Sequence, residues 1–127
     1  MKYESALDIE QKAKEIIEKL ELNHIRVNDI ACIRSFGSKS RGVIARCHAL
    51  GKIMQKALQR KAFYVLEFIS ERFDKQNEED KIKTIIHELM HIPNCFGGGF
   101  KHHNFVTQRN VNKLYSKFLS DESENKI

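Results

Sequence analysis

Hydrophobic residues recur every three or four positions in two segments near the ends of the chain, which predicts two amphipathic helices. In the segment 4–21 these residues are Ala6, Leu7, Ile9, Ala13, Ile16, Ile17 and Leu20. In the segment 106–119 they are Val106, Val111, Leu114, Tyr115, Phe118 and Leu119. The last eight residues, 120–127, lack this pattern and are predicted to form a polar C-terminal tail.

Two segments between these helices have the composition of β-strands. Segment 25–35 is rich in β-branched residues that roughly alternate with polar ones, and segment 62–69 is a dense run of aromatic and β-branched residues. Segment 43–60 is ambiguous, because its apolar residues fit one face of a helix while Gly51 also permits a short extended hairpin.

A third helix is predicted over 77–92. Asn77 is a typical N-cap residue, and the three acidic residues that follow it suit the positive end of a helix dipole. Pro93 ends the segment. Its apolar residues have the i, i+3, i+4, i+7 spacing of one buried face: Ile82, Ile85, Ile86 and Leu89.

This third helix carries the clearest chemical motif of the chain. His87 and His91 are four residues apart and therefore project from the same face, one turn apart. Two imidazoles at this spacing can both bind one Zn²⁺, at about 2.0–2.1 Å. Glu88 follows the first histidine, so its carboxylate is expected beside the metal as the general base for a metal-activated water. The pattern is the His-Glu-x-x-His arrangement of metalloproteases.

A catalytic zinc usually takes a third protein ligand, and the sequence leaves several residues open for that role. The only glutamates after His91 lie in the predicted polar tail. The glycines at 97–99 permit a sharp chain reversal, which makes His102 and His103 candidates. Cys95 is the rival ligand, although Pro93 interrupts the helical register between it and His91.

Several motifs between residues 31 and 115 also match a known family: Cys32-Ile33-Arg34-Ser35, Gly37-Ser38-Lys39-Ser40-Arg41, Ala45-Arg46, Tyr64-Val65-Leu66-Glu67, His87-Glu88-Leu89-Met90-His91-Ile92-Pro93 and Gly97-Gly98 through His103. On these motifs the chain resembles a family of small metallopeptidases from archaea and phages, a minimal branch of the zincin class. The absence of a histidine six residues after His91 separates the chain from the metzincins.

The resemblance implies an α+β, zincin-like fold with an N-terminal helix, a small mixed β-sheet, the helix of the histidine motif and a C-terminal helix. It implies one zincin-like metallopeptidase domain over residues 1–119. It also favours His103 as the third zinc ligand, since family members have a histidine at the matching position after the glycine turn. Zincins commonly hold a peptide as an added strand on a sheet edge, for which 43–50 is the candidate.

Four residues qualify as the group that stabilises the oxyanion, and the sequence does not rank them: Arg41, Arg46, His102 and Tyr115. His24 and His48 have no partner at ligand spacing and are predicted to be structural.

Composition bounds the remaining possibilities. A chain of 127 residues with 41% hydrophobic and 31% charged residues fits one compact domain. The odd number of cysteines (three) argues against a disulfide framework, and no secretory signal or membrane-spanning run is evident. We therefore expect a cytoplasmic protein without a membrane partner.

Two kinds of function follow from these features. The first is a zinc-dependent peptidase with Glu88 as general base, acting on a peptide or protein substrate. The alternative is a non-catalytic zinc-binding module that contacts nucleic acid or a protein partner, which the net charge of +5 permits. An open fourth position on the zinc distinguishes the first from the second.

Overall fold

The computed structural model describes residues 1–101 and 105–125, with side chains up to residue 120. Within these residues four strands and five helices follow one another: β1 Lys2–Ser5, α1 Leu7–Lys19, β2 Ile30–Phe36, β3 Ala45–Ala49, α2 Lys52–Leu58, β4 Tyr64–Ile69, α3 Ser70–Phe73, α4 Glu78–Met90 and α5 Gln108–Asn125. A 3₁₀ turn, Val27–Asp29, precedes β2. The predicted combination of helices with a small mixed sheet is confirmed.

The sheet has the strand order β1-β2-β4-β3. Strands β2 and β4 are parallel, with Cys32 opposite Leu66, whereas β1 and β3 pair antiparallel with their neighbours. Strand β3 therefore lies at one edge of the sheet. The alternation of β4 directs Tyr64, Leu66 and Phe68 into the core, where all three are fully buried.

Helices α1, α4 and α5 pack together over this buried face of the sheet. In α4 the predicted apolar stripe is confirmed, because all four of its residues are buried: Ile82, Ile85, Ile86 and Leu89. The Asn77 side chain caps the helix by accepting a hydrogen bond from the Asp80 backbone N–H at 2.8 Å. The stripe and the cap fix how α4 lies on the sheet.

Four predicted boundaries differ from the structure. Residues 2–5, partly assigned to the first helix, form β1, whose exposed residues carry no core pattern and are defined by pairing with β2. Strand β2 begins at Ile30, after the 3₁₀ turn, so residues 25–29 are not strand. The ambiguous segment 43–60 is divided between β3 and α2. Helix α5 continues to Asn125, so residues 120–125, predicted as a polar tail after the last helix, belong to that helix.

Within residues 1–101 and 105–125, none of the helices combines the length and the apolar character needed to span a lipid bilayer.

Candidate metal centre

Helix α4 presents His87 and His91 side by side. The two ring centroids are 5.1 Å apart and the ring planes are inclined at 69°. His91 is the residue that ends the helix, but its φ of −70° and ψ of −17° are still helical, so its side chain keeps the direction of the preceding turns. The spacing expected from the sequence is therefore present in the fold.

The His91 ring is oriented by the chain that returns from the glycine turn. Its Nδ1 lies 3.0 Å from the backbone oxygen of Lys101, and the Lys101 N–H donates to the His91 carbonyl at 2.8 Å. A carbonyl can only accept, so Nδ1 carries the proton in this contact and Nε2 becomes the nitrogen with the lone pair. Histidines that bind metals commonly make this kind of contact with their other nitrogen.

A buried tyrosine holds the glycine turn in place. The Tyr64 hydroxyl donates to the Gly99 carbonyl at 2.8 Å and accepts from the Gly98 N–H at 2.9 Å. Gln55 in α2 donates to the carbonyls of Gly97, at 3.0 Å, and Leu50, at 2.7 Å. The turn is thereby attached to β4, to α2 and to the end of β3, and it carries the chain back to the end of α4.

Gly98 is required by the geometry of this turn. Its φ is +106°, and a Cβ there would lie 2.7 Å from the Leu50 carbonyl oxygen and 2.6 Å from Gln55 Nε2. Only glycine adopts this backbone conformation without strain and permits so close an approach. The reversal predicted from the glycines is present as far as Lys101. His102 and His103 lie outside the described residues.

Glu88 is buried beside His87. Only 6% of the residue is exposed, and Glu88 Oε2 lies 4.0 Å from His87 Nε2. Burial raises the pKa of this carboxyl to about 7, because a charge is poorly solvated there. A carboxyl group in such surroundings can exchange protons near neutral pH.

Two adjacent cavities meet at His87 and Glu88. The first, of about 530 Å³, extends along the chain before β3 and is lined by Gly42, Val43, Ile44, Ala45, Gln76, Asp80, Lys83, Thr84, His87, Glu88, Gln108 and Val111. The second, of about 470 Å³, follows β3 and is lined by Ala45, Arg46, Cys47, His48, His87, Glu88, His91, Phe100 and Lys101. Together they form a cleft between α4 and the edge strand β3.

Strand β3 presents backbone hydrogen-bonding groups along this cleft. Ile44 accepts from the Ile69 N–H at 2.9 Å, and the Leu50 N–H donates to the Phe63 carbonyl at 2.8 Å. Bonds to a partner strand involve alternate residues, so Arg46 and His48 also bond toward β4. The backbone groups of residues 45, 47 and 49 therefore point to the outer edge of the sheet.

Of the residues considered for oxyanion stabilisation, Arg46 lines the second cavity, whereas Arg41 and Tyr115 line neither of the two. His24 has the structural role predicted for it, with Nε2 3.2 Å from the Ile92 carbonyl oxygen. His48, also predicted to be structural, has its Nε2 2.7 Å from Glu67 Oε1 and is among the residues that line the second cavity. Sequence patterns missed this pair because only the β3–β4 register brings it together.

Within residues 1–101 and 105–125, no group of three or more histidine, cysteine, aspartate or glutamate side chains has the geometry of a metal site. Cys95 belongs to that described part and is exposed. It does not form such a group with His87 and His91.

A mixed α+β fold that brings two histidines and a buried glutamate to one cleft is the arrangement used by metal-dependent hydrolases. The chain belongs to the family described as "Putative phage metallopeptidase", whose family model matches residues 1–125. Membership in a metallopeptidase family implies a metal. Comparisons with curated proteins and with solved structures gave no match.

Proposed function

We propose that the protein is a zinc-dependent peptidase in which His87, His91 and His103 bind Zn²⁺ and Glu88 is the general base. The observation that carries the proposal is the arrangement of two imidazoles at 5.1 Å, one of them oriented by the Lys101 carbonyl, beside a buried carboxyl group in a cleft. The family match supports the same conclusion.

The donor set suits zinc. Imidazole nitrogen is a preferred ligand of Zn²⁺, and catalytic zinc sites commonly use three protein ligands and an open fourth position. The Lys101 carbonyl favours the His91 tautomer whose Nε2 can coordinate a metal. The assignment of His103 rests on the family resemblance and on the chain, since His103 follows Lys101 by two residues.

When bound, zinc would supply Lewis acidity toward water and the substrate carbonyl. Glu88 would take a proton from the attacking water and return it to the leaving amine, a role that fits a carboxyl group buried beside His87. Its burial between α4 and β3 keeps the carboxyl group in the cleft.

The outer edge of β3 suits a peptide substrate. Backbone groups of residues 45, 47 and 49 point along the cleft, so an extended peptide could add to the sheet as a further strand. This arrangement would place the peptide chain beside Glu88 and the two histidines.

The test is the substitution Glu88→Gln, which keeps the size of the side chain but removes its basicity. We expect the variant to retain one zinc per molecule by metal analysis and to lose roughly 10²–10⁴-fold in kcat/KM on peptides that the wild type cleaves. Glu79→Gln is the matched control, because Glu79 lies on the exposed face of the same helix. Full activity of the Glu88→Gln protein would remove the proposed role.

A further inference from the structure

Helix α2 directs apolar side chains toward solvent. None of its residues is buried, and Ile53, Met54 and Leu58 are 82%, 48% and 56% exposed. The Gln55 side chain attaches the helix to the glycine turn by donating to the Gly97 carbonyl at 3.0 Å. Ile53 precedes Gln55 by two residues, so it projects almost directly away from that attachment. Exposed apolar side chains that lie together on one element, unlike scattered ones, mark interaction sites.

An apolar recess adjoins the helix at Leu58. The recess has a volume of about 290 Å³, and most of its lining residues are apolar: Ala49, Leu50, Leu58, Phe63 and Val65, together with His48 and Arg60. The strand register pairs His48 with Val65 on the face of the sheet that α4 does not cover. The recess therefore opens away from Glu88, and it has room for a large apolar side chain.

A cationic depression shares Arg60 with this recess. Its lining residues all have cationic or amide side chains: Gln55, Lys56, Gln59, Arg60 and Lys61. Arg60 pairs with Asp29 at 3.4 Å, but Asp29 also pairs with Arg26 at 3.0 Å, so one carboxylate serves two guanidinium groups. Within the described part of the chain, Lys56 and Lys61 have no ion-pair partner. The depression therefore carries an excess of positive charge.

The charge pattern of the sequence agrees with this excess. Residues 30–66 include eight lysines and arginines and no aspartate or glutamate, whereas the net charge of the whole chain is only +5. Arg34 and Arg46 in this segment pair with carboxylates from outside it. Lys52, Lys56 and Lys61 lie on α2 or just after it and place cations beside its apolar side chains.

The chemistry of the α2 surface, which comprises Ile53, Met54, the apolar recess and the cationic depression, favours a protein segment over other occupants. A second copy of the chain would bring like cations together across a twofold contact. A lipid bilayer would cover Ile53 but leave the recess unfilled. A nucleic acid would leave the apolar side chains in water, and Arg60 already covers the Phe63 ring, 4.7 Å from its centroid, where a base would stack.

We propose that the α2 surface binds a partner protein through a short segment that combines a large apolar side chain with neighbouring acidic residues. The apolar side chain enters the recess beside Leu58, and the acidic groups contact Lys56, Arg60 and Lys61. Apolar anchors supply most of the affinity at such interfaces, while complementary charges provide specificity. The surface opens away from the candidate metal centre, so the proposal does not rest on the peptidase function.

The experiment begins with selection of a phage-displayed library of random peptides on the full-length Glu88→Gln protein, which is expected to leave bound peptides uncut. We expect enriched sequences in which a large aliphatic or aromatic residue lies within a few positions of acidic residues. The best peptide is then synthesised with a fluorescent label and titrated by anisotropy. Its affinity should fall roughly tenfold when Leu58→Gln is added, as for a contact at the centre of an interface.

The charge contacts are tested with the same peptide. Lys56→Gln and Lys61→Gln together should lower its affinity roughly fivefold, and a peptide whose acids are replaced by amides should lose a similar factor on the unchanged helix. The two losses should not add, because both changes remove the same contacts. Matched controls lie in α5: Leu119→Gln replaces an apolar residue that is 41% exposed, and Lys113→Gln removes an exposed cation. Both should leave the affinity unchanged.

Several outcomes would overturn the proposal. A library without enrichment, enriched peptides without acidic residues, or peptides that bind equally well when Leu58→Gln is added would show that the α2 surface does not bind such a segment. Binding of phosphatidylglycerol vesicles that is lost in Ile53→Ser would assign the surface to lipid, and binding of a single-stranded oligonucleotide that is lost in Lys56→Gln would assign it to nucleic acid. Self-association in sedimentation that Ile53→Ser abolishes would assign it to a second copy. None of these outcomes depends on whether the protein cleaves peptides.

Discussion

At the scale of single residues, the orientation of the His91 ring depends on a residue outside the helix that carries it. The His87–His91 spacing follows from any α-helix, but the direction of the His91 ring depends on the Lys101 carbonyl ten residues later. That contact selects the tautomer with Nδ1 protonated. The proposed zinc site therefore depends both on the helix and on the chain that returns to it.

The third ligand gives a prediction at this scale. His103→Gln should weaken zinc binding by about 100-fold or more, since a three-ligand site is reduced to two, whereas His102→Gln should change it little. Competition with a chromophoric chelator measures both affinities. Cys95→Ser is the further control. A loss of affinity in the His102 or Cys95 variant, with the His103 variant unaffected, would reassign the ligand.

The residues of the site differ in how far the sequence predicts them. His87, Glu88 and His91 are close together on one helix, so local periodicity alone predicts that their side chains are neighbours. Glu67 and His48 belong to different strands and meet only through the β3–β4 register, which no local pattern encodes.

At the scale of elements, the glycine turn decides where the chain after α4 returns. The Tyr64 hydroxyl and the Gln55 amide fix the turn, and Gly98 fits because it has no side chain. The turn belongs structurally to the sheet and to α2, although in sequence it follows α4.

A substitution in the turn tests this dependence. Gly98→Ala should destabilise the zinc-free protein by about 2 kcal/mol, because a Cβ meets the Leu50 carbonyl at a positive φ, and should also weaken zinc binding. Gly99→Ala is a matched control, since a Cβ there meets no atom within 4 Å. Urea unfolding and chelator competition measure the two effects. Equal stability of the two variants would show that the contact between a Cβ at position 98 and the Leu50 carbonyl does not destabilise the fold.

Helices and strands could be predicted where the sequence pattern that defines them lies within the element itself. Helix α4 has a cap, an acidic first turn, an apolar stripe and a terminating proline, so its bounds were close to those of the structure. Strand β1 has only exposed residues, and its structure comes from pairing with β2. The end of α5 is polar and lacks apolar periodicity, so its helical state left no signal in the pattern.

At the scale of the whole molecule, one arginine joins three parts of the chain. Arg34 in β2 bonds to both oxygens of Asp8 in α1, at 2.6 and 2.9 Å, and to Asp74 just after α3, at 3.0 Å. The hydrogen bond from Arg34 lowers the pKa of Asp8. Burial raises the pKa of Asp74, but bonds from Arg34 and Ser70 outweigh it and lower the pKa.

This network predicts a dependence of stability on pH. A carboxyl group whose pKa is lower in the folded state stabilises the fold above its unfolded pKa, near 4, and loses that contribution as the pH falls through the folded value. Arg34→Gln should therefore cost about 1 kcal/mol at pH 7 in low salt, a modest figure because both aspartates are partly exposed, and less at pH 3. Urea unfolding at both pH values measures the difference.

Lys2→Gln is the control for this experiment, because its ion pair with Glu4 is exposed and joins residues of a single strand. A cost for Arg34→Gln that is the same at pH 7 and pH 3 would contradict the assigned role of the carboxylates.

The hydroxyl of Tyr64 determines at which stage of folding the His91 ring can be oriented. The tyrosine lies in β4, at the centre of the sheet, yet it anchors the turn that brings Lys101 to His91. A denatured chain contains every histidine but lacks this attachment. In the proposed peptidase, the orientation of the His91 ring is thus acquired only when the last strand has entered the sheet.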